Sequence, residues 1–591
     1  MTDLTINHDL LPKQKARSIR TNRKIVFFRY ATELYHELDA LGMIERMKKV
    51  PQLGVIRVGS HFNKSRYDYA MLQLYLHQVA KKHLNPELKL SYGNDVNPRT
   101  VFPHGFELEP AKRPSVAELI QILVLIHNVG HFCGTFTSSR AVILHAKHDK
   151  VFYERFIHSF GDERYVDIAK RCVADWNELL LHHLNTKLIL DRCDQSKVAV
   201  RLAQVLLYAY VSDDGAGDEE KRQFIFWLFR TVRDVAYVAY DLQIASTAIS
   251  MDVLNLNEIT LLLRELLSQN NNRESTQALV DALKKLLDDT LYFKTEDVIC
   301  YHRIASSMRS SLPVSSFNYF DDLFLEEASP LNESHSHLRG YFEDKLLKLT
   351  FSYKDRSLAH AFHDELERTH HVRSGFYHRY SGETTVVVAL KRSCKNQSMV
   401  AFRVFQMALR YLRQIEDIES CDSRFLLATK FFLGYLCAGL SVYIKPTIHK
   451  EDCVFVTRGS RKRIEVIGNC LNMSSASEDM KHEAEHLIKC MEENPYGGVT
   501  VMIPASIVWS DKENKSRCEL DGMLLYPNGD DHQLVLLEAK NKKASGAEAK
   551  RCLKKSLKTL EIPYADAHIA TRDADAWLRL AVSGSGFCSK G

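Results

Sequence analysis

Paired cysteines, long apolar runs and low-complexity tracts are all scarce in this chain. The thirteen cysteines among its 591 residues are scattered, and none forms a Cys-x-x-Cys pair or joins histidines at zinc spacing. This scatter disfavours disulfide-rich and zinc-finger classes and predicts reduced thiols in the cytoplasm. The polar N-terminus also lacks the apolar core of a signal peptide.

The apolar segment FFLGYLCAGLSVYI, residues 431–444, is the best candidate for a membrane helix. It is shorter than the roughly 18 to 20 residues that a spanning helix needs. We therefore expect a buried core helix here and no membrane partner.

Excess charge of one sign is also missing. The chain has 79 Lys and Arg against 74 Asp and Glu, a formal net charge of +5. Any argument for a nucleic-acid partner must therefore be local. The apolar share of 45% and the charged share of 26% are those of a folded globular protein.

The length favours a multidomain protein, since it exceeds what one hydrophobic core usually serves. Helical periodicity dominates the first half of the chain and predicts an all-α domain over residues 1–308. Residues 309–477 mix patterns, with a strand over TTVVVAL and a helix over MVAFRVFQMALRYLRQIEDI, and their role stays open. The helix-capping segment LNMSSASED then predicts the start of an α/β domain over residues 478–591.

An amphipathic helix and three β-prone runs follow in this last domain: KHEAEHLIKCMEEN, then GVTVMIPASIVW, RCELDGMLLY and HQLVLLEAKNK. The segment PNGDD predicts a closed hairpin between the last two runs. Because side chains alternate along a strand, Glu538 and Lys540 share a face. A two-residue turn at 528–529 would place Asp521 opposite Leu536 and diagonal to Glu538.

Two carboxylates and an ammonium group that converge in this way suit phosphodiester hydrolysis. Mg²⁺, with Mn²⁺ as an alternative, prefers oxygen ligands and leaves positions to water and phosphate, which fits Asp521 and Glu538. Lys540 would orient or deprotonate the attacking water and stabilise charge on the phosphorane. The competing interpretation is a solvent-facing ion pair between Glu538 and Lys540.

The order of helix, meander, Asp and then Glu-x-Lys resembles the PD-(D/E)xK nuclease superfamily, which has the restriction-endonuclease fold. The resemblance implies that Asp521 and Glu538 bind the metal and that Lys540 assists catalysis. A glutamate of the opening helix often joins the metal site in that family, which implies Glu485, with Glu483 as the alternative. The chain departs from the family pattern just before the Asp, where it has leucine instead of proline.

The segment NKKASGAEAKRCLKKSLKTL after the Glu-x-Lys strand predicts a helix with a basic outer surface. We expect Lys542, Lys543, Lys550 and Lys554 to contact nucleic-acid phosphates without reading sequence. An ordinary solvated helix face is the alternative. A strand over DAHIA and a helix over RDADAWLRLAV would complete the α/β domain.

Two N-terminal segments, SRYDYAMLQLYLH and ILVLIHNVGHFCGTFTSSR, resemble the HD-domain phosphohydrolases, especially the branch that hydrolyses deoxynucleoside triphosphates. The second segment matches the family's His-Asp-Ile-Gly-His from His127 to His131. However, Tyr69 stands at the first metal-binding histidine and Asn128 at the aspartate. Tyr and Asn are poor metal ligands, so two of the four ligands that the resemblance implies are missing.

Three interpretations of the HD-like region stay open. A degenerate HD domain would have lost hydrolysis and would sense a nucleotide, bind nucleic acid or assemble the oligomer. A helical scaffold would use His127 and His131 as core or helix-face residues. A working phosphohydrolase would need replacement ligands, such as those of the HAKHD segment, together with Asp234 or Asp241 as the last aspartate.

These patterns together predict a Mg²⁺-dependent endonuclease that acts on DNA, with RNA as an alternative substrate. Its HD-like region would regulate it and take a nucleotide ligand. Such fusions resemble prokaryotic defence effectors, which implies anti-phage immunity. We expect a cytoplasmic homo-oligomer. The competing functions are an HD-type nucleotide phosphohydrolase or sensor with a DNA-binding C-terminal domain, and a scaffold in which both folds have decayed.

Overall fold

The computed structural model of this protein contains two compact units, residues 1–340 and 341–591. The structure describes residues 4–11, 22–54, 64–84, 86–212, 217–249, 254–268, 273–288, 295–313, 317–326, 329, 331, 346–379, 382–391, 394, 397–412, 414–415, 422–435, 441–446, 455–457, 500–503, 505–510, 516–520, 522–528, 531–540, 551, 554–556, 564–571 and 575–581.

The first unit is built from helices that follow a short antiparallel hairpin. Strands β1 (Thr5–Asp9) and β2 (Asn22–Val26) form the hairpin, which helical periodicity did not predict. The α-helices in the described part of this unit are α1 (Arg29–Ala40), α2 (Met43–Lys49), α3 (Arg66–Ala80), α4 (Pro86–Gly93), α5 (Pro98–Val101), α6 (Val116–Val129), α7 (Phe136–His148), α8 (Lys150–His158), α9 (Glu163–Ala174), α10 (Glu178–Arg192), α11 (Val198–Val211), α12 (Glu219–Ile249), α13 (Leu256–Leu267), α14 (Arg273–Leu287) and α15 (Thr295–Ser310). A short 3-10 helix, Pro110–Lys112, and a π-helix, Tyr319–Leu325, accompany them. The predicted helical region is thus confirmed.

Helix α6 forms the centre of this unit because it is apolar almost all round. Its sequence VAELIQILVLIHNV buries every residue except His127, which is half-buried. A helix that is hydrophobic on all sides must be surrounded by others, and α6 packs against α1, α3, α10, α11 and α12. Ser115 caps its N-terminus by accepting a hydrogen bond from the Glu118 N–H at 3.3 Å.

The second unit combines helices with strands, which confirms the coarse prediction of an α/β part. Its described elements are β3 (Leu347–Phe351), α16 (Arg356–Arg368), β4 (Val372–His378), β5 (Thr384–Leu390), α17 (Gln397–Leu412), α18 (Asp422–Tyr435), β6 (Ser441–Pro446), β7 (Phe455–Thr457), β8 (Thr500–Ile503), β9 (Ala505–Ser510), β10 (Ser516–Leu520), β11 (Gly522–Asn528), β12 (Asp531–Lys540), β13 (Tyr564–Thr571) and β14 (Asp575–Ala581). The strand predicted over TTVVVAL is confirmed as β5. The helix predicted over MVAFRVFQMALRYLRQIEDI is confirmed as α17 only as far as Leu412, where α17 ends.

Three sheets organise the described strands of this unit. The first is antiparallel with the order β3-β5-β4, and β5 is buried along its whole length. The second has the order β10-β9-β6 and is anchored on α18, because the buried Trp509 indole donates to the Leu433 carbonyl at 3.3 Å. The third has the order β14-β13-β12-β11-β8-β7 and is antiparallel except between β12 and β13.

Strands from both sides of the predicted 477/478 boundary share sheets. Strands β6 and β7 precede that boundary and pair with β9 and β8, which follow it. The boundary itself lies outside the described residues. The other predicted boundary, at 308/309, falls inside helix α15.

Four local predictions were wrong. Residues 431–444 are not one buried helix, because α18 ends at Tyr435 and β6 begins at Ser441. The run GVTVMIPASIVW is not one strand but two, β8 and β9, which belong to different sheets. The run RCELDGMLLY likewise contains two strands of different sheets, β10 and β11. The segment RDADAWLRLAV forms strand β14 instead of a helix. No helix in the described part of the chain is long and apolar enough to cross a bilayer.

Candidate functional site

The hairpin of β11 and β12 contains the predicted Glu-x-Lys motif. The ladder pairs Asn528 with Asp531 at the turn and Gly522 with Leu537 at its far end. The predicted register, with Asp521 opposite Leu536, is therefore wrong, because Leu536 pairs with Met523. The sequence pattern allowed a turn at 528–529, but Asn528 is still part of the ladder.

Strand β12 lies inside the third sheet, between β11 and β13. Glu538 pairs with Ile569 and Lys540 with Thr571 in the parallel ladder with β13. Both residues thus belong to the carboxyl-terminal end of an interior strand. Asp521, which directly precedes β11, lies outside the described residues, as do Glu485 and Glu483.

The predicted basic helix is described in part. Arg551 and residues 554–556 are helical, and Arg551, Lys554 and Lys555 are exposed. Lys542, Lys543 and Lys550 lie outside the described residues. A parallel pair such as β12 and β13 requires a crossover, which usually contains a helix, and these residues lie within that connection.

In the first unit, Tyr69 and Asn128 are core residues. The Tyr69 hydroxyl donates to the Arg233 carbonyl at 3.3 Å, and its ring packs edge-on against Tyr240. The Asn128 amide donates to the Val124 carbonyl at 2.8 Å and to the Gln73 side-chain oxygen at 3.4 Å. These contacts join α3, α6 and α12. Tyr69 and Asn128 thus have packing roles at the two positions where HD-domain proteins have metal ligands.

His127 and His131 contact a pair of histidines that the motif analysis missed. We call His127, His131, His182 and His183 the histidine cluster. The rings of His131 and His182 stack at 4.2 Å, those of His182 and His183 lie 3.9 Å apart, and His127 lies 5.1 Å from each of the pair. One ring nitrogen each of His127, His182 and His183 lies within 4.8 Å of the other two.

A close approach of α6 and α10 brings these rings together. Gly130 follows α6, and a Cβ there would overlap the His182 carbonyl oxygen and the Thr186 hydroxyl. The Asn185 amide donates to the Gly130 carbonyl at 2.9 Å, and the Thr186 hydroxyl donates to the Ile126 carbonyl at 2.8 Å. The end of α6 is therefore fixed against the first turns of α10, where the sequence reads LLLHHLNTK.

Electrostatics keep the histidine cluster uncharged at neutral pH. Burial lowers the pKa of all four imidazoles, and that of His183 to about 3. The positive charges of Arg66 and Arg233 act in the same direction. The neutral rings therefore keep a lone pair on one nitrogen each.

The two aspartates considered as a last HD-like ligand differ in their surroundings. Asp234 forms ion pairs with Arg233 at 3.0 Å and with Lys284 at 2.9 Å. Asp241 is fully buried on α12. The Asp234 carboxylate is therefore already neutralised by two cations.

The consecutive histidines of α10 were the signal that could have revealed this cluster. His182 and His183 stand in an otherwise apolar helical stretch and are 4% and 7% exposed. Adjacent residues of a helix point in directions about 100° apart, so two buried neighbours indicate a helix that is enclosed on a wide arc. Only the tertiary packing shows that these two histidines contact His127.

Comparison with known proteins adds no relative. No family model matches the chain, and neither a curated protein nor a solved structure shows significant similarity to it. The two family resemblances therefore stay predictions.

Proposed function

We propose that the C-terminal region of this protein is a Mg²⁺-dependent nuclease that hydrolyses phosphodiester bonds of DNA. The ladder between β11 and β12 carries this proposal. The last described pair of this ladder is Gly522 with Leu537. In the sequence, Gly522 directly follows Asp521, and Leu537 directly precedes Glu538. The chain thus enters and leaves this end of the hairpin through the two proposed metal ligands.

The strand arrangement around this hairpin supports the same proposal. Strands β8, β11 and β12 are antiparallel neighbours, and β13 returns parallel to β12. In parallel α/β sheets, ligands commonly bind beyond the carboxyl ends of the strands. Among the described strands of this sheet, β12 and β13 form the one parallel pair. Glu538 and Lys540 occupy such an end.

The chemistry follows from the residue types. Bound Mg²⁺ would polarise the phosphate and supply the attacking water. Asp521, Glu538 and Glu485 would hold it, because carboxylate oxygens suit this hard cation. Lys540 would orient the water for in-line attack on phosphorus and stabilise the charge that develops on the phosphate oxygens while the P–O bond to the leaving group breaks.

Plasmid cleavage tests the assignment. The parent should cleave DNA with Mg²⁺ and not with EDTA, and we expect Glu538→Gln or Lys540→Ala to lower the rate by roughly 100-fold or more. Asp531→Asn is the matched control, since it neutralises a carboxylate at the opposite end of the same strand. Equal cleavage by Glu538→Gln and the parent would refute the site, and linear, single-stranded and RNA substrates would define the substrate class.

Nucleotide hydrolysis in the first unit is a second candidate function, favoured by the buried histidine cluster. Release of phosphate or triphosphate from dGTP should then survive Asp521→Ala and disappear in His127→Ala. If release instead survives His127→Ala and disappears in Asp521→Ala, the C-terminal nuclease region is the enzyme. In that case the first unit would regulate it, as expected of a defence effector.

A further inference from the structure

The histidine cluster contains four shielded ring nitrogens that lack a partner among the described residues. They are Nδ1 of His127, Nε2 of His131, Nε2 of His182 and Nδ1 of His183. Buried polar atoms in folded proteins are almost always paired. Four such atoms on neighbouring rings indicate a ligand that several of the rings share.

The spacing of the rings fits a single metal ion. Ligand nitrogens of His127, His182 and His183 lie within 4.8 Å of one another. Bonds of about 2.1 Å to a tetrahedral ion place nitrogens roughly 3.4 Å apart. Rotation of the rings about their side-chain torsions would bring the nitrogens to that separation.

We propose that His127, His182 and His183 bind a transition-metal ion of the zinc class. Neutral imidazole suits Zn²⁺, Co²⁺, Ni²⁺ and Fe²⁺, whereas Mg²⁺ takes oxygen ligands. The ion at this site therefore differs in class from the one in the proposed nuclease site. Three protein ligands leave a coordination position open, which is the arrangement of a catalytic zinc site.

The two helices that carry the site are held together before any ion binds. The hydrogen bonds of Asn185 and Thr186 hold α10 to the end of α6, and His131 stacks on His182 at 4.2 Å with an interplanar angle of 13°. His131 is thus a positioning residue that restrains one ligand ring, as groups around a metal's ligands commonly do.

Cobalt substitution of the full-length protein tests this site without using any activity. After removal of bound metal with a chelator, Co²⁺ should bind with one equivalent showing the intense visible absorption of a tetrahedral centre. Zn²⁺ should displace it and excess Mg²⁺ should not. His183→Ala and the more conservative His183→Gln should each weaken Co²⁺ binding by at least 10-fold.

Two variants serve as matched controls. His77→Ala removes another buried histidine, on α3, whose ring nitrogens also lack a partner among the described residues, and it should keep the cobalt spectrum. Glu538→Gln should keep it as well, since it alters only the proposed nuclease site. Absence of tetrahedral Co²⁺ in the parent, displacement by Mg²⁺, or unchanged binding in a folded His183→Gln protein would each overturn the proposal.

Discussion

The Asp68 carboxylate is a charge that the fold of the first unit stabilises. Burial alone would raise its pKa, but hydrogen bonds from His8 and Ser65 outweigh burial and lower the pKa to about 2. The His8 ring nitrogen donates at 2.8 Å, and the Ser65 N–H donates at 2.8 Å in a capping box at the start of α3. This cap fixes the helix that carries Tyr69.

Replacing Asp68 with Asn should destabilise the protein in a pH-dependent way. The folded pKa lies below the ordinary value of about 3.9, so the carboxylate stabilises the fold above that value and loses its effect as the pH falls through 2. We expect a cost of about 2 kcal/mol at pH 7 and about half of it at pH 3. Unfolding of both proteins at the two pH values measures this, and an equal cost at both would contradict the electrostatic account.

Single residues were predictable where a motif pointed to them. Tyr69 and Asn128 were recognised as positions that lack metal-ligand chemistry, and their hydrogen bonds show what they do instead. His182 and His183 were missed, because they lie more than 50 residues from His127 and only the packing of α10 on α6 brings them close. Sequence periodicity reports the exposure of a face and not which faces meet.

At the scale of elements, the junction of α6 and α10 depends on Gly130. The Asn185 amide donates to the Gly130 carbonyl, and no space remains for a Cβ at Gly130. The backbones of α6 and α10 therefore nearly touch at this residue. The junction also sets the distance between His127 and the α10 histidines.

Gly130→Ala should therefore separate the two helices. Forcing a methyl group into this contact should cost roughly 1 to 3 kcal/mol of stability and weaken Co²⁺ binding. Thermal unfolding and cobalt titration measure the two effects. Gly93→Ala is the control, because a Cβ there meets nothing within 4 Å, so it should be neutral or slightly stabilising. Equal behaviour of the two variants would show that the helices can separate without strain.

Elements were predictable where local periodicity and tertiary packing agree. The helices of the first unit follow their apolar spacing, and β5 follows its continuous β-branched run. Strand β14 contradicts its local preference: DAWLRLA is rich in good helix formers, yet it pairs along its length with β13. The predicted hairpin register was wrong for a similar reason. The ladder extends to Asn528, and the length of a strand is not determined by the turn residues alone.

At the scale of the whole molecule, charge limits how the protein can attract nucleic acid. A net charge of +5 on 591 residues is too small to steer DNA. The proposed function therefore requires a local basic surface, and exposed Lys554 and Lys555 belong to the connection that follows the Glu-x-Lys strand.

The double variant Lys554→Ala and Lys555→Ala should therefore bind DNA more weakly at low salt, with a smaller dependence on salt. Each phosphate contact that is lost reduces the slope of log affinity against log salt by about 0.9 on duplex DNA, so the slope should fall by up to about 2. Binding in EDTA, where cleavage is absent, measures this. Lys81→Ala with Lys82→Ala removes another exposed adjacent pair, just after α3, and should leave the slope unchanged. If both double variants lower affinity equally, net charge and not the basic helix holds the DNA, and the proposed nuclease would need another surface to position its substrate.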